Sequence, residues 1–427
     1  MFDEKSESSY IDLFMALSNA VELMNPFIGS HHKRVAFIAY SLGDMLSLTK
    51  DDFNNLILAS LLHDIGAVSI AEWSHLLKFE TNKPYRHSEI GYYFFKDTEG
   101  FKKIATIIRF HHTRWENGKG KVVNGESVPL ASHIIHLADR IEILINRREH
   151  VLKQTCRIRD KIKKEDGRTF MPKLIEAFME LSQKESFWLD IINPNKYKVI
   201  YNNVEKVWFK PSPDEVENLF KMLSRIIDFK STYTSTHTRG VVAVSETLAR
   251  FFCMEDKDVK LMRIAGYLHD IGKLVVPIEI LDKPEKLTDE EYMIMKSHAY
   301  YTDNIIECIK GFEKVNIWAS LHHEKLDGKG YPFHYDKSNI PLGSKIVAVA
   351  DVFTALAEDR PYRKGMKKDV IIKTLREMID NSNLDEKVVA VVEENYDEID
   401  SFRKKIQEGA KEEYKNFVRQ VSVLESS

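Results

Sequence analysis

LLHDIGA at residues 61–67 returns as YLHDIGK at residues 267–273, and the organisation of the chain can be worked outward from that pair. His31 stands 32 residues before His63, and His237 stands 32 residues before His269. His87 precedes the doublet His111-His112 by 24 residues, and His298 precedes His322-His323 by the same 24. Asp139 and Asp351 follow the doublets after 27 and 28 residues, in the matching stretches PLASHIIHLAD and PLGSKIVAVAD. Ten of the 16 histidines fall on this frame. Self-similarity at a fixed offset is the signature of an internal duplication.

The segments that lead into these residues have a helical period. DDFNNLILASLLHD, DVKLMRIAGYLHD, FKKIATIIRFHH and FEKVNIWASLHH place apolar residues three and four apart and then end on histidine or aspartate, as core helices with polar side chains at their C-terminal ends do. Ser212-Pro213-Asp214-Glu215 combines an N-cap with proline at the first helical position, and Thr288 with Glu291 makes a capping box. Helices starting near 213 and 289 are therefore expected. NPNKYKVIYNN at 193–203 lacks that period, which makes 193–211 the expected connector between domains at 8–192 and 212–425. No glycine- or proline-rich linker intervenes, so halves that pack together are expected.

With 43% hydrophobic residues in a chain of 427, two sizeable cores can be filled. The net charge of −3 gives no global attraction to DNA, RNA or anionic membrane. An anionic ligand would need a local site. The run KIKKED at 161–166 is read as a solvated helix end. The acidic, polar start and the absence of a long apolar stretch favour a soluble, cytoplasmic protein without a membrane span. Cys156, Cys253 and Cys308 lack any metal or redox spacing and are expected to be buried free thiols.

Asp351 lies in KIVAVADVFTAL, an apolar helix where an unpartnered carboxylate would cost several kcal/mol. Asp139 has the same problem, although Arg140 and Arg147 are within reach as salt-bridge partners. Five histidines and a second aspartate on one frame point instead to a cation. The adjacent His-Asp pair lets the carboxylate bridge two metals while the imidazole binds one, and a nitrogen and oxygen donor set without thiolate suits iron, manganese or zinc. Two such ions about 3.5–4 Å apart clamp a phosphodiester and activate water, which is hydrolytic chemistry. Lys273, four residues after His269, can reach back toward a phosphate or leaving oxygen; a surface lysine at a helix C-terminus is the plainer alternative. The first repeat has Ala67 there.

The second half resembles the HD-GYP family of bacterial cyclic-dinucleotide phosphodiesterases. The resemblance rests on HDIGK at 269–273, HHEKLDGKGYP at 322–332, ILDKPEKLTDEEYMIMKSH at 280–298 and ADVFTALAEDRPYRKGM at 350–366. It implies an all-α fold of tandem HD-type helical bundles and a role in bacterial signalling. It further implies that His237, His269, Asp270 and Asp351 hold one metal, that Asp270, His298, His322 and His323 hold the other, and that Asp270 bridges them. Iron is the first choice of metal and manganese the second. Lys273 would meet the scissile phosphate, and Asp359, Arg360, Tyr362, Arg363 and Lys364 would shape the substrate side; structural salt bridges are the alternative for Arg360 and Arg363. Gly330, Tyr331 and Pro332 would shape the loop beside the substrate.

Some family members carry a glutamate one turn before the first histidine and resemble a three-metal arrangement. Tyr233 occupies that position here, so two metals and a linear dinucleotide product are expected, with onward cleavage to mononucleotides left open. The first half resembles a divergent HD domain. It keeps His31, His63, Asp64, His87, His111, His112 and Asp139 but reads HHTRWENGKGKVV where the GYP loop should be. A further metal without independent hydrolysis is expected there, and a regulatory or packing domain is the alternative.

The substrate expected is cyclic di-GMP or cyclic GMP-AMP, with a homodimer or signalling partner protein left open. Two competing readings are a cyclic-dinucleotide-binding signalling module with little turnover and a general nucleotide phosphohydrolase. The GYP loop argues against the latter.

Overall fold

The computed structural model describes residues 10–23, 29–67, 85–98, 100–203, 213–230, 236–359 and 363–422. Within them the regular elements are all helices apart from a two-stranded antiparallel hairpin, in which Val122 pairs with Ser127 and Val123 with Glu126. The described residues between 10 and 203 form one compact unit and those between 213 and 422 the other. Among the described residues, no helix is long and apolar enough to cross a membrane.

The duplication seen in the sequence is a duplication of helices. His31–Met45 and His237–Phe251 each have 15 residues, Lys50–Leu62 and Asp256–Leu268 each have 13, and Lys102–Arg109 and Glu313–Ser320 each have 8. Tyr85–Phe95 corresponds to Asp289–Glu307, and Leu130–Ile143 to Leu342–Ala357. The expected starts hold: one helix begins at Pro213, and Thr288 and Glu291 form a reciprocal capping box on another. Ser212 lies outside the described residues.

The apolar period becomes the core. Val259, Met262, Ile264, Ala265 and Leu268 of the second repeat are buried, as are Leu56, Ile57, Ala59, Leu61 and Leu62 of the first. Each such leucine or isoleucine contributes about 1.5–3 kcal/mol through burial. One glycine in each repeat fixes the turn at the end of the core helix. A Cβ on Gly272 would stand 1.9 Å from the His298 carbonyl oxygen, and one on Gly66 would stand 2.0 Å from that of His87. Only glycine lets the turn after His-Asp press against the helix that carries the next histidine.

One stretch holds more local structure than its missing period suggests, and one expectation is corrected. Residues 193–203, read as connector, contain the short helices Pro194–Tyr197 and Lys198–Asn203. Asn193 caps the first, and buried Tyr197 donates its hydroxyl to the Ile191 carbonyl at 2.9 Å. Local capping and one buried aromatic ring outweigh the missing period. The three cysteines are free, as expected, but exposed: Cys308 ends the helix Asp289–Glu307, and Cys253 takes a positive φ just beyond Phe251. Helix ends lie at the surface because their last carbonyls need solvent or caps.

Candidate metal centres

In the C-terminal unit the seven expected ligands come from five helices and the turns after them. His237 opens the helix His237–Phe251, His269 closes Asp256–Leu268 and Asp270 follows it, and His298 lies within Asp289–Glu307. His322 and His323 follow Glu313–Ser320, and Asp351 lies within Leu342–Ala357.

Side-chain hydrogen bonds then fix which nitrogen faces inward. Nδ1 of His269 donates to the Gly266 carbonyl at 2.8 Å, that of His298 to Met295 at 2.7 Å and that of His322 to Ala319 at 2.6 Å. A ring whose Nδ1–H is committed to a carbonyl three residues back presents the Nε2 lone pair. The buried Nε2 atoms of all three histidines have no hydrogen-bond partner. His269 Nε2 stands 3.2 Å and His298 Nε2 3.6 Å from opposite oxygens of Asp270. Buried acceptors converging on a carboxylate fit a cation. His237, His269 and Asp270 form one group able to hold an ion, and His298, His322 and His323 form another.

The electrostatics separate these ligands. Burial brings His298 to about 4, only partly offset by Asp270, and burial with His269 and His298 brings His322 to about 3. Both are neutral at ordinary pH, the form that binds metal. For His237 burial also acts downward, but Glu358 and Asp351 overcome it and raise the imidazole to about 10. Its Nε2 lies 2.9 Å from Asp351 and its Nδ1 3.0 Å from Glu358. Burial pushes the Asp270 carboxyl up, yet His269 and Lys273 hold it well below the usual range. Lys273 Nζ is 2.5 Å from Asp270 Oδ2, so the lysine leans on the proposed bridging carboxylate.

The N-terminal unit repeats the cluster in a more enclosed form. His31, His63 and Asp64 make one group able to hold an ion, and Asp64, His87, His111 and His112 make the other, all buried. Asp64 belongs to both. Its Oδ2 is 3.2 Å from His63 Nε2, and its Oδ1 is 3.0 Å from His87 and 3.4 Å from His111. His87 Nε2 faces those of His111 and His112 at 3.3 and 3.1 Å. Asp139 Oδ1 is 3.5 Å from His31, while its other oxygen takes Arg140 at 2.6 Å. The arginine answer weighed for Asp139 is thus used on one oxygen; Arg147 goes to Glu142 instead. Where the other repeat has the GYP loop, Trp115, Glu116 and Asn117 donate backbone N–H groups to carbonyls of residues 167–169.

The GYP loop is tightly built. A Cβ on Gly330 would lie 2.3 Å from the Lys325 nitrogen, and Gly328 has φ +74°. Tyr331 donates its N–H to the His323 carbonyl at 3.2 Å and stacks on the His323 ring with centroids 4.8 Å apart. Other residues named from the resemblance have partners of their own. Arg363 donates to the carbonyls of Ala355 and Leu356, at the end of the helix that carries Asp351, because those last carbonyls lack helical partners. Exposed Lys364 lies 3.8 Å from Asp359, whose other oxygen accepts the Gly365 N–H. Arg360, Tyr362 and Tyr233 lie outside the described residues.

Four residues that matter here were not singled out in the sequence. Glu142 accepts from His31 Nδ1 at 2.5 Å, and Glu358 does the same for His237. They follow Asp139 and Asp351 by three and seven residues, spacings that return to one helix face, so the period could have flagged them. Gln407 donates to Glu358 at 3.0 Å and to the Thr236 carbonyl at 2.9 Å. Buried Glu324 accepts the N–H groups of Phe333 and His334 and shapes the GYP loop. No local pattern announces either of these two.

Helical units that gather histidines and aspartates into paired clusters define the HD-domain class, and the HD domain family matches the chain twice, at residues 28–144 and 221–388. The chain belongs to that family in its HD-GYP form, with a divergent HD domain in tandem ahead of the HD-GYP domain. It is 28% identical over 391 residues to 3′3′-cGAMP-specific phosphodiesterase 1 of Vibrio cholerae, covering 90% of each chain. It is 33% identical over 277 residues to phosphodiesterase 3 of that set, covering 64% of this chain and 59% of the relative. Cyclic di-GMP phosphodiesterase PA4108 of Pseudomonas aeruginosa is 38% identical over 146 residues, 34% of this chain and 35% of that one. The crystal structure of a cyclic GMP-AMP specific phosphodiesterase from V. cholerae shares the fold, with a TM-score of 0.61 over 90% of this chain and 96% of that chain at 24% identity.

Proposed function

We propose that the C-terminal unit is a metal-dependent phosphodiesterase that opens a cyclic dinucleotide to the linear dinucleotide. The observation that carries this reading is the convergence of unpartnered Nε2 atoms of His269, His298 and His322 around Asp270, with Lys273 and the GYP loop beside them. His237, His269, Asp270 and Asp351 would hold one divalent ion and Asp270, His298, His322 and His323 a second, iron before manganese given imidazole and carboxylate donors. When bound, such a pair supplies Lewis-acid charge for the phosphoryl oxygens and lowers the pKa of coordinated water.

The chain's own residues do the rest. Asp270 spans the two ligand groups, with one oxygen toward His269 and the other toward His298. Glu358 orients His237 through Nδ1. Lys273, one-fifth exposed, is placed to exchange part of its contact with Asp270 for the charge that builds on the phosphate or leaving oxygen. Tyr331 and Gly330 bound the substrate side next to His323.

Of the two candidate substrates, 3′3′-cyclic GMP-AMP is favoured by the relative that matches nearly the full chain. For the N-terminal unit we propose metal binding without hydrolysis, because Ala67 stands where the second repeat has Lys273 and the anchored Trp115 segment replaces the GYP loop. The test is product analysis with metal-replete protein on both cyclic dinucleotides. Linear dinucleotide as the accumulating product supports the reading. A metal-replete but inert protein that still binds the nucleotide would favour the signalling-module alternative.

A further inference from the structure

The helix Asp289–Glu307 carries a feature that neither metal ligation nor the GYP loop accounts for. Tyr292 and Lys296 stand one turn apart on it, just before His298. Lys296 Nζ lies 4.9 Å from the centroid of the Tyr292 ring, 5.7 Å from that of Tyr331 and 3.8 Å from Met293 Sδ. Among the described residues no carboxylate pairs with it; its acidic neighbour Glu291 is taken by Lys283 and the Thr288 cap. Tyr292 is 46% exposed, and Tyr331 is the ring that stacks on His323.

Aromatic faces attract an ammonium through their quadrupole but leave its net charge intact. Lys296 is therefore a partly exposed cation, held in place yet not neutralised, one aromatic ring away from a proposed metal ligand. A cyclic dinucleotide carries two phosphodiesters on opposite sides of one macrocycle. The metal cluster and Lys273 can take only the one being cleaved, so the other needs a cation displaced from the cluster.

We propose that Lys296, positioned by Tyr292 and Tyr331, is a binding subsite for the uncleaved phosphodiester of the cyclic dinucleotide. This rests on the phosphodiesterase reading above. Such a contact is equal in ground and transition states, so its loss raises KM and leaves kcat nearly unchanged.

The experiment is steady-state kinetics on the metal-loaded full chain with 3′3′-cyclic GMP-AMP and cyclic di-GMP, with metal content measured on each preparation. Lys296→Met should raise KM at least about tenfold, the loss of one charge-assisted contact, with kcat within about twofold and metal content as in the wild type. Lys296→Arg should restore most of the affinity. A wild-type KM in Lys296→Met overturns the subsite while the phosphodiesterase reading stands. Loss of metal in that variant overturns it too, by making Lys296 a support for His298. A wild type that neither binds nor cleaves either nucleotide sinks the phosphodiesterase reading and the subsite with it.

Discussion

Lys273 and Asp270 share one short contact, so their variants separate two roles. Lys273→Ala should lower kcat by roughly ten- to a thousandfold, a typical loss for one electrostatic donor, with metal content largely retained. Kinetics and metal analysis on one preparation check this; an unchanged kcat returns Lys273 to the surface-lysine reading. The imidazoles give a pH prediction for the metal-free protein. His298, His322 and His111, brought to about 4, 3 and 4 mainly by burial, stay neutral when folded, whereas an unfolded chain protonates them below about 6.5. Stability should therefore fall as pH drops from 6.5 toward 4. His31 and His237, raised to about 10 by their carboxylate neighbours against burial, keep protons that the unfolded chain loses. Their stabilisation is full below 6.5 and is lost as pH rises toward 10. Thermal melts should peak near pH 6.5, and saturating divalent metal should remove the alkaline decline. A decline unchanged by metal would take His237 out of the ligand set.

At the scale of elements, the long C-terminal helix Tyr396–Ser422 reaches the cluster through a buried polar chain. Asp400 accepts from Arg403 at 2.6 Å, Arg403 donates to Gln407, and Gln407 donates to Glu358, which holds His237. Partners of this kind typically account for ten- to a hundredfold in metal affinity. Gln407→Ala should weaken the C-terminal ion held with His237 by about tenfold, read by competition with a chelator, while Gln407→Glu, a second carboxylate beside Glu358, should be worse. Equal metal affinity in all three proteins would reduce the chain to packing. A sequence-based reading finds the helices that carry the ligands, because their apolar period ends on them. It does not find Gln407, which lies 49 residues beyond Glu358 and meets it only after the last helix has folded back.

For the whole molecule, the prediction concerns two separate centres. Asp270→Ala should abolish hydrolysis and strip metal from the C-terminal site, because it removes the carboxylate proposed to bridge the two ions. The N-terminal complement should remain and should disappear only when His111→Ala is added. Metal counting on full-length single and double variants checks this. Complete metal loss in Asp270→Ala alone would leave the first cluster as a structural network.

The sequence by itself determined the duplication, the all-helical class and the histidines and aspartates that the clusters gather, because those depend on spacing and period. Only the tertiary structure decided which imidazole nitrogen faces inward, that Asp64 joins two ligand groups, that Arg363 caps a helix and that Lys296 lies against two tyrosine rings. Each of these depends on what a side chain meets across the fold, and chain spacing carries no record of that.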